Sequence, residues 1–293
     1  MLNISFFSYK GGAGRTSLLF NTLPFLAEEL GANENEPIVV LDLDLDSQGL
    51  TYLTESQSKI NTIQVIRGDN SLGFRQIGTM REHPFFRQAV PIGQRVGLPE
   101  SQDRAILFVS AQPLLGAESL SEEGNYDSNN VSLSNISRLC SRFNCKAIVM
   151  DTPSGNQLSG KKALSISNKI VTVMRITKQF RKGTAEFLRD RTELSNKEFI
   201  IVPNAVPTSL GTNYNLHTIM ENISGLLKLS INNPSDLNLK FLENGNTGIN
   251  EVNLFKFTEE NLKLEQSYRE LKPDEKNAIE MYKLLAKEIA NES

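Results

Sequence analysis

The stretch Ser8-Tyr9-Lys10-Gly11-Gly12-Ala13-Gly14-Arg15-Thr16-Ser17 stands between the apolar residues 4–7 and a helix-patterned segment, 18–30. A glycine-rich turn that leads from a strand into a helix is built to take a polyphosphate. Its glycines let successive backbone N–H groups point inward without Cβ clashes, and the helix N-terminus adds partial positive charge. Thr16 stands where the hydroxyl of such a loop would meet Mg²⁺.

The common form of this loop, G-x-x-x-x-G-K-[ST], is not met, because Tyr9 stands at the first glycine and Arg15 at the lysine. Lys10, ahead of the double glycine, completes a different pattern, KGG-x-G-[KR]-[ST]. That pattern resembles the deviant Walker A loop of the ParA/MinD family of dimerising ATPases, and its R form marks one branch of the class. The resemblance implies that residues 10–17 (Lys10, Gly11, Gly12, Ala13, Gly14, Arg15, Thr16 and Ser17) bind ATP, with Thr16 on Mg²⁺. It also implies that Lys10 reaches a partner subunit's nucleotide and takes part in catalysis. Arginine keeps the charge and can fork onto phosphate oxygens, but it is bulkier than a lysine and not equivalent to it. Binding is therefore a safer expectation than turnover.

Apolar runs at 4–7, 38–43, 147–150, 170–174 and 199–202 read as buried strands, and 106–109 as one more. Continuous apolar character, without alternation, is expected of parallel strands covered by helices on both faces. The fold class read from this pattern is α/β: a doubly wound, mostly parallel sheet flanked by helices. Leu19, Leu23, Leu26, Ala27 and Leu30 share one face of the first helix, and Gly31 supplies its stop. Pro24 inside it predicts a kink or a shorter element.

Three carboxylates follow the second strand in Leu41-Asp42-Leu43-Asp44-Leu45-Asp46-Ser47-Gln48-Gly49-Leu50. In a doubly wound sheet ligands bind outside the strands' C-terminal ends. The stretch resembles two elements of the class: D-x-D-P-Q-G of partition ATPases and D-x-D-L-E-A-P-G-L of the branch with the R loop. Two registers are open, Asp44 with Asp46 or Asp42 with Asp44, and the second is favoured. By that resemblance Asp42 joins the Mg²⁺ shell and Asp44 orients the attacking water. Ala147-Ile148-Val149-Met150-Asp151, followed by Thr-Pro-Ser-Gly155, resembles the Walker B strand and its switch, which puts Asp151 on the metal. Asn204, after the last of the apolar runs, matches the position at which the family recognises adenine.

At 293 residues with 39% hydrophobic and 22% charged residues, the chain suits a globular fold with a sizeable core, read here as a single domain over 1–293. An irregular insertion is expected at about 64–105, a loop from 117 to 130, a helix at 131–143 and a terminal helix at about 273–291. Ile279, Tyr282, Leu285 and Ile289 on one face of the last read as a packing stripe and not a membrane anchor. With no signal-like start and no long apolar segment, the expectation is a cytoplasmic protein with no membrane partner. Cys140 and Cys145 are too few for a disulfide framework and precede the Asp151 strand, which argues against a shared iron–sulfur cluster. His83 and His217 lack metal-ligand spacing and read as structural.

A net charge of −3 gives no global attraction to nucleic acid. Arg175, Lys178, Arg181, Lys182, Arg189 and Arg191 form a local basic cluster, which reads either as a phosphate-binding face for nonspecific DNA or as a solvated helix face beside Glu186, Asp190 and Glu193. Taken together, the resemblance implies a slow ATPase that forms a homodimer around Mg-ATP. It would switch an adaptor or effector protein, or a DNA assembly, in partition or in defence and signalling. The alternative is a nucleotide-binding scaffold that turns over little or not at all.

Overall fold

The computed structural model of the chain describes residues 1–67, 78–111, 133–155, 157–189, 197–204, 238–242 and 273–291. Strands β1 (Leu2–Phe7), β2 (Ile38–Asp42), β3 (Val90–Pro91), β4 (Ile106–Val109), β5 (Ala147–Asp151), β6 (Lys169–Met174), β7 (Glu198–Pro203) and β8 (Asn238–Phe241) form one sheet. Their order is β3-β4-β2-β5-β1-β6-β7-β8. Every neighbouring pair is parallel except β3 with β4.

The helices are α1 (Arg15–Glu29), α2 (Gly49–Thr54), α3 (Thr62–Arg67), α4 (Pro84–Gln88), α5 (Leu133–Arg142), α6 (Leu158–Ile166), α7 (Lys178–Arg189) and α8 (Pro273–Ala290). Strand residues alternate between two apolar layers, as the period of a strand requires. Ile38 and Val40 pack with Leu19 and Leu23 of α1 and Leu285 and Ile289 of α8. Val39 and Leu41 pack with Leu139 and Cys140 of α5 and Phe85 and Phe86 of α4. Burial on both faces is why these strands read as unbroken apolar runs.

α1 runs through Pro24 without stopping. The missing N–H removes one hydrogen bond, while Leu23 and Leu26 on either side are almost fully buried, and packing of an apolar face contributes most of a helix's stability in a protein. The helix ends where expected. Gly31 adopts φ +60°, its N–H donates to the Glu28 carbonyl at 3.0 Å, and the N–H of Ala32 donates to the Ala27 carbonyl at 2.8 Å. These are the two bonds of a Schellman stop, which favours glycine at the left-handed position.

The expected insertion contains α3 and α4, two 3₁₀ turns (Gln94–Val96 and Glu100–Ala105) and the short β3. Neither β3 nor β8 is legible as an apolar run. The expected loop at 117–130 lies outside the described residues, as do His217 and Arg191. His83 caps α4, its Nδ1 accepting from the Phe85 N–H at 3.3 Å, and packs edge-on to Phe86 and Phe143. Cys140 and Cys145 are buried and unbridged, and burial raises the Cys140 thiol pKa well above its ordinary value, with Cys145 adding to the shift. Among the described residues no helix is long and apolar enough to cross a membrane.

Candidate functional site

The parallel strands place their C-terminal ends on one edge of the sheet, and β1 lies between β5 and β6. The residues that follow β1, β2 and β5 meet there around a cavity of about 380 Å³. Its walls are residues 11–17 with Ser8, Asp44, Asp46, Ser47, Ser154 and Gln157.

The loop is shaped by two glycines in the left-handed region, Gly12 at φ +80° and Gly14 at φ +78°. Gly14 is the N-cap of α1, and no side chain caps that end. The first-turn N–H groups of α1 lack intrahelical partners, and the dipole favours negative charge there. Successive N–H groups curved around left-handed residues form an anion-binding concavity. The donors therefore suit a polyphosphate.

Arg15, at the position of the usual lysine, is 7% exposed and committed to two carboxylates. Its Nη2 donates to Asp44 Oδ2 at 2.6 Å and its Nε to Asp151 Oδ1 at 2.6 Å; Nη1 reaches the Ser8 hydroxyl at 3.3 Å. Burial alone would lower the guanidinium pKa, but the charges of Asp151 and Asp44 outweigh it and raise the value. The other oxygen of Asp151 accepts from the Thr16 hydroxyl at 2.7 Å. Burial pushes the Asp151 pKa up, against the opposing pull of Arg15 and Thr16.

The three aspartates after β2 do not share a face, because the strand stops at Asp42. Asp42 is fully buried and pairs in register with Asp151 of β5. Its Oδ2 accepts from the Thr51 N–H at 2.9 Å and the Thr51 hydroxyl at 2.7 Å, and its Oδ1 from the Asp44 N–H at 3.2 Å. Burial and the neighbouring Asp151 charge raise its pKa to about 7. Asp44 and Asp46 both reach the cavity. Asp44 Oδ1 accepts from the Ser47 N–H at 3.3 Å, and Asp46 accepts from the Gln157 amide at 3.0 Å.

Lys10 is exposed and does not line the cavity. Asn204 is buried against the glycine-rich loop, its Nδ2 donating to the Ala13 carbonyl at 2.8 Å. Arg175 donates from Nε to the Gly12 carbonyl at 2.7 Å. The sequence reading placed Arg175 in a basic cluster and not at the loop; its place directly after an apolar strand was the available signal. Of that cluster, Lys178 and Lys182 are exposed, and Lys182 lies 3.8 Å from Glu186. Thr51, which holds Asp42, carried no sequence signal.

Among the described residues no group of three or more His, Cys, Asp or Glu is placed to hold a metal ion. A Mg²⁺ at Thr16 and Asp151 would therefore take its remaining ligands from phosphate and water, as Mg²⁺ commonly does.

A glycine-rich anion loop between β1 and α1, with carboxylates from β5 and the β2–α2 turn behind it, defines a P-loop nucleotide-binding fold. The chain has the fold of the ParA/MinD-type P-loop ATPases. It is similar to MinD of Pyrococcus horikoshii, solved with Mg-ADP, at TM-score 0.63 and 15% identity over 98% of this chain and 94% of that one. MinD of Aquifex aeolicus matches at 0.60 and 16% over 96% and 95%. A ParA family ATPase of Chlorobium tepidum matches at 0.59 and 16% over 97% of each. No protein-family profile and no curated protein matches the sequence.

Proposed function

We propose that this chain is a nucleotide-operated switch: it binds Mg-ATP in the cavity beside α1, pairs with a second copy across it, and hydrolyses the nucleotide slowly to control a partner. The observation that carries this reading is the cavity at the uncapped N-terminus of α1, walled by residues 11–17 and Asp44, with Thr16 bound to Asp151. Residues 11–17 would cradle the phosphates. Thr16 and Asp151 would hold Mg²⁺, whose charge offsets that of the phosphate oxygens. Asp44, at the cavity wall, orients water for attack. Asp42, tied to Thr51 and to the Asp44 N–H, supports Asp44 from behind and shares the metal region through its pairing with Asp151. Positioning and charge neutralisation provide most of the catalysis in phosphoryl transfer, so a loosely completed site turns over slowly until a partner completes it.

Large apolar side chains are exposed at Tyr9 and Leu158, each next in sequence to a residue of the cavity wall, and at Tyr52 on α2. With exposed Lys10 they suit a second copy docking over the nucleotide. Similar structures carry related names: a complex of MinC with MinD, and a putative plasmid partition protein of Borrelia burgdorferi with AMPPNP. They support a protein partner and a role in positioning or partition. Regulation in defence or signalling rests on the branch resemblance of the loop. Exposed Lys178 and Lys182 favour an added hold on DNA, which would weaken steeply with salt.

Solution mass by light scattering tests the switch. A dimer that forms with Mg-ATP, is absent with Mg-ADP, and persists longer in Asp44→Ala supports it. Mass independent of nucleotide in both proteins removes it. The commitment of Arg15 to two carboxylates favours a second reading, a scaffold that holds nucleotide without turnover. Phosphate release that Asp44→Ala abolishes excludes the scaffold.

A further inference from the structure

Side chains that follow β6, the neighbour of β1, and β7, the next strand out, brace the anion loop from outside. Arg175, directly after β6, donates to the Gly12 carbonyl at 2.7 Å. Asn204, directly after β7, donates Nδ2 to the Ala13 carbonyl at 2.8 Å and lies 3.5 Å from the Gly14 carbonyl. Three consecutive carbonyls of the loop thus face two side-chain donors. The braces are joined as well, since the Asn204 N–H donates to the carbonyl of Met174, the residue before Arg175.

In an anion-binding nest the N–H groups converge on the ligand and the carbonyls point away from it. A carbonyl turned away from the phosphate needs a donor on the outer side, or the peptide gains by turning back. Arg175 and Asn204 supply those donors. Asn204 fits closely: a Cβ on Gly14 would stand 2.6 Å from its Nδ2, so only a glycine admits the carboxamide there. Asn204 is 8% exposed and is not part of the cavity wall.

We infer that Arg175 and Asn204 are positioning residues for the phosphate-binding loop, which hold the Gly12, Ala13 and Gly14 carbonyls outward so that the N–H groups face a polyphosphate. This rests on the nucleotide site proposed above and assigns Asn204 to the phosphate end of the ligand instead of the base. Arg175 acts here as a hydrogen-bond donor to a neutral carbonyl.

The test is titration calorimetry of the full chain with Mg-ATP, Mg-GTP and Mg-tripolyphosphate. Asn204→Ala and Arg175→Met are compared with the wild type, alongside thermal melts of each. Loss of one brace weakens all three ligands about tenfold, the equivalent of about one hydrogen bond, and leaves the ATP to GTP affinity ratio unchanged. Arg175→Lys, which keeps a donor, recovers most of the loss. Should Asn204→Ala not fold, Asn204→Ser, which keeps a small polar group, is measured in its place with the same criteria. If the asparagine variant loses ATP while tripolyphosphate binds as in the wild type, Asn204 reads the base and the inference fails. Unchanged affinity in Arg175→Met removes Arg175 from the brace. A wild type that binds none of the three ligands overturns the nucleotide site itself, and the brace with it.

Discussion

Arg15 Nη2 meets Asp44 Oδ2 at 2.6 Å inside the fold, with the arginine 7% exposed, although the two residues belong to different turns of the sheet edge. The same guanidinium binds Asp151. One cation therefore offsets two carboxylates, with Asp42 close behind them. Removing one partner from such a buried set leaves charge without compensation, which costs far more than the pair contributes. Arg15→Met is expected to lose about 3–5 kcal/mol in urea denaturation at neutral pH. Adding Asp44→Asn to it should restore part of the loss. A single variant as stable as the wild type would show that the three charges are not held together.

Asp42 makes the metal-free protein pH-sensitive. Its carboxyl is raised from 3.8 to about 7 by burial and by the Asp151 charge, so the folded chain holds this proton more tightly than the unfolded chain does. Stability from this group is therefore greatest below about pH 4 and declines as pH rises to about 7. Asp42→Asn keeps an acceptor for Thr51 and removes the titration. Measured in a chelator, the variant should gain stability relative to the wild type across that window, and a constant difference would oppose the assignment.

Gly183 of α7 lies under the Tyr9 ring, where an added Cβ would stand 2.1 Å from Tyr9 Cε1. Gly183→Ala should displace the ring and cost about 1–2 kcal/mol, in the range of overpacked sites. In a Tyr9→Ala background the same change should lose that cost and turn stabilising by up to about 1 kcal/mol, since its obstacle is gone and alanine is the better helix former. A double-mutant cycle in denaturant reads the coupling directly, and additive effects would mean that the ring does not rest there.

Lys169 ties the end of α8 to the sheet. It is 3% exposed, lies 3.4 Å from Glu198 of β7, and donates to the carbonyls of Glu288 at 3.2 Å and Asn291 at 2.5 Å. Lys169→Met is expected to destabilise the fold by about 3 kcal/mol, at the lower end for a broken buried pair. It should also speed amide exchange in the last turns of α8 more than in α1. Uniform exchange across both helices would contradict a local tie.

The strands at 38–43, 147–150 and 170–174 were legible because burial on both faces writes an unbroken apolar run. Val90-Pro91 was not, since two residues at a sheet edge carry no period. Asn238–Phe241 was hidden for a similar reason, with Asn238 and Lys240 interrupting its apolar residues. The glycine-rich loop was legible through its glycines, two of which do adopt positive φ. The bond of Arg15 to Asp44 and Asp151 was not, because it depends on β2 and β5 being neighbours, a fact of strand order. Arg175 and Asn204 reach the loop for the same reason: they follow β6, which lies beside β1, and β7, the next strand out, both far from β1 in the chain.

The antiparallel β3 has a further consequence. Its two residues end in Pro91, which has no N–H to offer, so the sheet closes on that side with a strand too short to template another. That edge offers a neighbouring molecule little backbone on which to add a strand. Among the described strands, pairing between copies through backbone is thereby disfavoured at the β3 edge, and β8 is the edge left to offer it.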